Sequence, residues 1–285
     1  MRSLLFVPAD SERKLARSLE SGADALILDL EDSVVAANRP TARKQAREFM
    51  EAHGPERVRR YVRINPLASG LALDDLAATV AGRPDGILLP KCVPADVRTL
   101  DHYLSAFEAA CGAPLGAIRI VAIATETAQA VFALGGYRGA SPRLEALTWG
   151  AEDLSASIGG NNRTIAGDYD GPYLLARSLC LLAAAAAEVL AIDTIYTDFK
   201  DDAGLKAESF AARRSGFAGK MAIHPAQLAI INEAFSVSAA ERDWAERVVA
   251  AFAARPDAGT LALDGKMIDK PHLVLARRLL GLGPA

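Results

Sequence analysis

Eight short apolar runs, each closing on a polar or charged residue, constrain this chain's fold more than any other feature. They are SLLFVP (3–8), ALILDLED (25–32), RYVRIN (60–65), GILLPK (86–91), IRIVAIATE (118–126), ALTWGAED (146–153), DTIYTD (193–198) and GKMAIHP (219–225). Several are continuously apolar and β-branched, the pattern of strands buried on both faces of a parallel sheet. Helical periodicity falls between them, over 11–21, 41–52, 73–81, 94–111, 127–134, 172–190 and 203–215. This alternation predicts parallel α/β architecture. Eight strand–helix units match a (β/α)8 TIM barrel, which typically takes about 250 residues. An open doubly wound sheet is the alternative, but no GxGxxG follows a strand.

Residues 1–254 therefore read as the barrel and 255–285 as a C-terminal extension, with Arg255-Pro256-Asp257-Ala258-Gly259 at the boundary. The extension carries TLALDGKMIDKPHL and a last helix over 271–280. Charge is nearly balanced, with 32 basic and 35 acidic residues. That argues against a nucleic-acid-coating surface. Cys92, Cys111 and Cys180 are odd in number and form no CxxC, so neither a disulfide framework nor a structural zinc site is expected. The apolar N-terminal run is too short for a secretory leader. The longest apolar stretch, 178–192, carries Glu188 and falls short of the roughly 20 residues of a membrane span. The expectation is a cytoplasmic protein with neither nucleic acid nor membrane as partner.

A barrel places its site at the C-terminal ends of its strands. Those ends carry Glu31 and Asp32, Arg63 and Asn65, Lys91, Glu126, Glu152 and Asp153, Asp198, and His224. Carboxylates gathered on one rim repel unless a cation intervenes. Mg²⁺ suits such a rim, since it commonly takes only one or two protein carboxylates and leaves room for water and substrate. Plainer roles stand beside these. Any one acid at a strand end can simply be solvated. Asp153 opens a helical stretch and can serve as its cap. Arg63 is either a salt-bridged interior residue or a bidentate clamp on a substrate carboxylate. Lys91 is either a Schiff-base lysine or an anion-binding one. HExxH, GxSxG and Walker A sequences are absent, and the four histidines lack metal-ligand spacing.

At these residues the chain resembles the citrate lyase β-subunit-like (HpcH/HpaI aldolase) family, nearest its stand-alone citramalyl-CoA and malyl-CoA lyase members. The matching segments are RSLLFVPAD, LILDLEDSVVAANR, YVRIN, ILLPK, TETA, WGAEDLSASIG, AIDTIYTDFKDDAGL, GFAGKMAIHPAQ and DGKMIDKPH. The resemblance implies Mg²⁺, with Mn²⁺ as a substitute, held by Glu126 and Asp153. It implies substrate contacts at Arg63, Glu126, Ala151, Glu152 and Asp153, with Arg63 gripping the 2-oxo-acid carboxylate. It implies a homotrimer or hexamer in which Asp269 of the C-terminal extension reaches a neighbouring subunit's site. The loop over 160–171 does not match closely, and it is expected to help choose the substrate.

The expected reaction is cleavage of a 3-hydroxyacyl-CoA (citramalyl-, malyl-, methylmalyl- or citryl-CoA type) to acetyl-CoA and a 2-oxo acid. Asp269 would protonate the departing enolate. Glu31 and Asp32 would orient metal-bound water or take the hydroxyl proton. Arg2 and Lys14 are candidates for the CoA phosphates. Three alternatives remain open: a malyl-CoA-type thioesterase, the β subunit of a citrate lyase complex, and a non-catalytic keto-acid-binding barrel.

Overall fold

A computed structural model describes residues 1–54, 58–165 and 167–282. Eight parallel strands close into a barrel in sequence order. They are β1 (Ser3–Pro8), β2 (Ala25–Asp29), β3 (Arg59–Arg63), β4 (Gly86–Leu89), β5 (Arg119–Ile123), β6 (Leu144–Thr148), β7 (Leu190–Asp193) and β8 (Gly219–Ala222). β8 pairs back onto β1 through Leu4 and Met221. Helices α1 (Glu12–Ser18), α2 (Arg39–Ala52), α3 (Ala72–Thr79), α4 (Pro94–Ala110), α5 (Ala128–Ala133), α6 (Ala151–Ile158), α7 (Gly171–Ala186), α8 (Asp202–Ser215) and α9 (Gln227–Phe235) occupy the crossovers and follow β8. The TIM-barrel expectation holds.

The strand alternation sorts side chains into two layers. Leu4, Ile27, Tyr61, Leu88, Val121, Ile192 and Met221 fill the barrel interior. The other face of each strand packs on the helices, as Leu5, Leu26, Val62 and Leu147 do. Tyr61 and Gly86 are register partners. A Cβ on Gly86 would lie 2.6 Å from the Tyr61 ring, so glycine there makes room for the largest interior side chain. Side-chain caps fix several helix starts. Thr127 Oγ1 accepts from the Ala130 amide at 3.1 Å, and Asp201 Oδ1 from the Gly204 amide at 2.9 Å.

Two corrections to the sequence reading emerge. The seventh strand is Leu190–Asp193, not 193–198, and α7 stops at Ala186 rather than running to 190. The Ala-rich run favours helix throughout. The break comes at Glu188, whose φ of 59° is left-handed. The second correction concerns the boundary. The chain divides into Met1–Phe235 and Ser236–Ala285, so the barrel unit ends before 254. Helix α10 (Ala239–Ala254) belongs with the C-terminal unit. Its Ala245, Val248 and Phe252 share a core with Ile268 and Ala276 from the hairpin β9 (Thr260–Leu263) and β10 (Lys266–Asp269) and from α11 (Lys270–Leu279). The end of the expected extension, 283–285, lies outside the described residues. Cys92, Cys111 and Cys180 are all free. Among the described residues no helix is long and apolar enough to cross a membrane.

Candidate active site

The site begins with one register pair. Asp29 and Arg63 are partners on β2 and β3, on the same inward-facing parity as Ile27 and Tyr61. They meet as a two-bond ion pair, Nε to Oδ1 at 2.6 Å and Nη2 to Oδ2 at 2.7 Å. Burial pushes the Asp29 carboxyl up, but the Arg63 hydrogen bonds and charge outweigh it and hold it below the usual range. The third guanidinium nitrogen, Nη1, lies 2.9 Å from Glu31 Oε2 and 3.9 Å from Asp32 Oδ2. The Phe6 ring lies 4.7 Å from the guanidinium carbon. Arg63 is thus a salt-bridged interior residue, and its Nη1 faces the acids at the barrel mouth.

Lys91 follows β4 in the left-handed region, at φ 47°. Its ammonium contacts Glu31 Oε1 at 2.5 Å, Asp32 Oδ2 at 3.1 Å and Asp153 Oδ1 at 3.2 Å. Its amide donates to Glu126 Oε2. Burial favours the neutral amine, but the Glu31 hydrogen bond and the charges of Glu31, Glu126 and Asp153 prevail and raise its pKa. That environment opposes the Schiff-base reading, which needs a lysine able to lose its proton.

Glu126 is 2% exposed and Asp153 is about one-third exposed. Both line a cavity of about 230 Å³. Arg63, Ala151 and Glu152 line it too, as do Asp29, Phe6, Gly150 and Trp149. Asp153 sits in the first turn of α6, whose N-cap is Gly150, so it does not cap that helix itself. A Cβ on Gly150 would lie 2.7 Å from Glu126 Cγ. The Gly150 amide donates to Thr125 Oγ1 at 3.2 Å. Burial and the nearby Asp153 charge push the Glu126 carboxyl well up. Among the described residues, no three His, Cys, Asp or Glu side chains form a metal cluster. The acids instead surround Lys91, and the Glu126–Asp153 pair suits an ion that takes two protein carboxylates.

The raised Glu126 carboxyl has a measurable sign. In its folded state it holds a proton more tightly than in the unfolded chain. Its stabilising contribution is therefore full below the ordinary carboxylate pKa and is lost as pH rises through the folded value. In EDTA, Glu126→Gln is expected to flatten this part of the stability–pH curve, as measured by denaturant unfolding between pH 4 and 8 (roughly the span of strongly shifted carboxyls).

The remaining strand-end candidates separate. Glu31 and Asp32 line a neighbouring groove with Lys91 and Arg39. Asn65 is buried and holds Asp75 Oδ2 and the Leu30 carbonyl, a structural role. Asp198 lies past the true end of β7 and lines a different groove, with Arg163 and Tyr196. His224 is exposed and stacks on Phe199 with ring centroids 5.1 Å apart. Arg2 precedes β1 at the opposite, N-terminal end of the strands, where its guanidinium pairs with Asp24 at 2.8 Å. That position removes it from the mouth. Lys14 is exposed on α1. Asp269 belongs to the C-terminal unit and caps α11, with Oδ1 2.6 Å from His272 Nδ1. The His272 hydrogen bond holds its carboxyl below the usual range. The 160–171 loop, of which Ala166 lies outside the described residues, carries Arg163 and Tyr169. Arg163 stacks on Tyr169 at 3.7 Å, and Tyr169 packs edge-on against Trp149 at 4.9 Å.

Sequence reasoning missed Asp29 and the support of Trp149. The Trp149 indole donates to Asp193 Oδ1 at 2.7 Å. Asp193 in turn holds Arg177 at 3.0 Å and the fully buried Lys220 at 3.0 Å. The Asp193–Lys220 register pairing on β7 and β8 was hidden by the shifted reading of β7.

A closed (β/α)8 barrel with acids, an arginine and a lysine gathered at the strand C-termini is a barrel enzyme in the usual position for its site. The chain belongs to the HpcH/HpaI aldolase/citrate lyase family, which matches residues 2–225, and is thereby a member of a carbon–carbon lyase family. It is similar to a (3S)-malyl-CoA thioesterase from Cereibacter sphaeroides, 36% identical over 291 residues, covering 100% of this chain and 95% of the relative. It is also similar to citrate lyase subunit beta from Escherichia coli, 34% identical over 98% of this chain and 92% of that protein. Among solved structures it resembles CitE from Mycobacterium tuberculosis in complex with magnesium, acetoacetate and coenzyme A. The TM-score is 0.78 and the identity 33%, covering 99% of this chain and 97% of the other.

Proposed function

We propose that this chain is a Mg²⁺-dependent lyase that cleaves the carbon–carbon bond of a 3-hydroxyacyl-CoA, releasing acetyl-CoA and a 2-oxo acid. The observation that carries the reading is the buried Glu126 facing a cavity beside Asp153, two carboxylates whose repulsion a divalent cation would relieve. Glu126 and Asp153 would hold the ion. When bound, it supplies Lewis-acid charge to the substrate oxygen that turns from hydroxyl to ketone. CitE from M. tuberculosis, with magnesium, acetoacetate and coenzyme A bound, supports the assignment.

The chain's own residues divide the remaining work. Arg63 Nη1, the guanidinium nitrogen not committed to Asp29, grips the carboxylate of the oxo-acid half. Glu31 takes the hydroxyl proton. Its Oε2 is buried and accepts no hydrogen bond, although Arg63 Nη1 is within charge contact. Burial raises its proton affinity above the usual carboxylate range. Asp32 orients water beside it. The bonding pair of the breaking carbon–carbon bond passes to the thioester α-carbon. A proton delivered there by Asp269 of a neighbouring subunit completes acetyl-CoA. In the condensation direction the same carboxylate would remove that proton. A homotrimer or hexamer supplies this residue, and Lys14 is available to the CoA phosphates.

The test is product analysis with citramalyl-, malyl-, methylmalyl- and citryl-CoA, in Mg²⁺ and in EDTA. Acetyl-CoA (propionyl-CoA from methylmalyl-CoA) plus a 2-oxo acid in Mg²⁺ alone is the expected result, and full turnover in EDTA would end the metal reading. The similarity to the C. sphaeroides thioesterase favours a second reading, hydrolysis by the same acids. Free malate and CoA from malyl-CoA would establish it. Turnover confined to substrates on an acyl-carrier protein would instead mark a citrate lyase subunit.

A further inference from the structure

We propose that Lys91 is the resident cation of the mouth carboxylates, and that a divalent ion must displace its ammonium from Asp153 in order to bind. The second half rests on the metal reading above, whereas the first concerns the metal-free protein alone. Four acids, Glu31, Asp32, Glu126 and Asp153, contact Lys91 from three separate segments of the barrel mouth. Arg63 serves only part of this cluster: its Nε and Nη2 are committed to Asp29, and its Nη1 reaches Glu31 at 2.9 Å and Asp32 at 3.9 Å. Lys91 answers all four. Its ammonium lies 2.5 Å from Glu31, 3.1 Å from Asp32 and 3.2 Å from Asp153, and its amide donates to Glu126.

The backbone is shaped for this double use. At φ 47° Lys91 adopts a conformation that side-chain-bearing residues rarely take. Strained backbone of this kind persists only where its surroundings hold it. Here the turn sends the amide toward Glu126 and the side chain toward the other three acids. Only one of the ammonium's three carboxylate partners, Asp153, lines the cavity with Glu126. Mg²⁺ binds oxygen at about 2.0–2.1 Å in a strict octahedron. An ammonium 3.2 Å from Asp153 Oδ1 therefore sets a positive charge against the carboxylate that would receive the ion, and like charges repel. Glu31 and Asp32 remain as the ammonium's anchors once it lets Asp153 go.

The test compares wild type with Lys91→Met and Lys91→Gln, each stripped with EDTA. Thermal unfolding in EDTA is expected to fall by roughly 2–4 °C in both variants. Adding Asp153→Asn to Lys91→Met should recover part of that loss, since it removes one unneutralised charge. The same change in the wild-type background should not raise the Tm. Calorimetric titration with MgCl₂ should give about tenfold tighter binding to the Lys91 variants. Equal or weaker Mg²⁺ affinity would overturn the competition. Failure of Asp153→Asn to recover stability in the variant would overturn the resident-cation role. If neither wild type nor variants take up Mg²⁺ while the EDTA pattern holds, the metal reading fails and the role of Lys91 stands.

Discussion

Asp153→Asn is expected to lower Mg²⁺-dependent turnover by more than about 100-fold, the upper end of what loss of a group one step removed from a metal typically costs. The change keeps the size and shape of the side chain and removes one negative charge. Asp153 is a third-exposed residue in the first turn of α6, away from the N-cap, so the helix should be unaffected. Glu126 would be left to hold the ion alone. Lys91 would keep Glu31 and Asp32 as partners. Steady-state kinetics over a Mg²⁺ titration, beside a thermal unfolding curve, check the result. Wild-type turnover at saturating Mg²⁺ would mean that Asp153 holds no metal.

Arg63→Ala is expected to destabilise the protein by about 3–5 kcal/mol, the usual cost of stranding one member of a buried ion pair. Asp29 is 1% exposed and takes two hydrogen bonds from Arg63. Without them its buried charge keeps only the amides of Glu31 and Ser33, at 3.0 and 3.2 Å, and no cation bonded to it among the described residues. A residue that only gripped the substrate carboxylate would act mainly through KM. The geometry instead makes its kinetics inseparable from loss of fold. Denaturant unfolding of Arg63→Ala, of Asp29→Asn and of the double variant separates the effects, because the double variant no longer buries an unpaired charge. Recovery in the double variant is expected, and an undiminished loss would show that Arg63 acts through packing. The pair also sets acid sensitivity. The Asp29 carboxyl is held below its ordinary range, so its stabilisation is present above the unfolded pKa. It fades as pH falls through the depressed folded value.

The barrel was legible because each strand is an apolar block with a distinct helical stretch after it. Seven strands lie where the runs place them. The seventh run failed because the strand Leu190–Asp193 adjoins an Ala-rich helix, and composition does not change at the junction. Only the left-handed turn at Glu188 separates the two. The mouth residues Arg63, Glu126 and Asp153 were legible from the rule that strand C-termini carry the site. Asp29 was not, because it sits two residues before the conspicuous Glu31-Asp32 pair, inside an apolar strand. Its signal is the pairing register, which joins distant segments and is not written in either one. Arg2 differs, because its place directly before β1 already sets it at the N-terminal end of the strands, away from the mouth.

The missing side chain at position 150 has a bearing on redesign. The backbone there lies against the stem of Glu126, so even a methyl group would shove that acid aside. Anyone seeking to widen or re-aim the cavity should leave this position untouched. Diversity belongs in the neighbouring loop around Arg163 and Tyr169, which meets the cavity-lining Trp149 through an aromatic edge. Libraries built that way would leave the buried acid where the fold holds it.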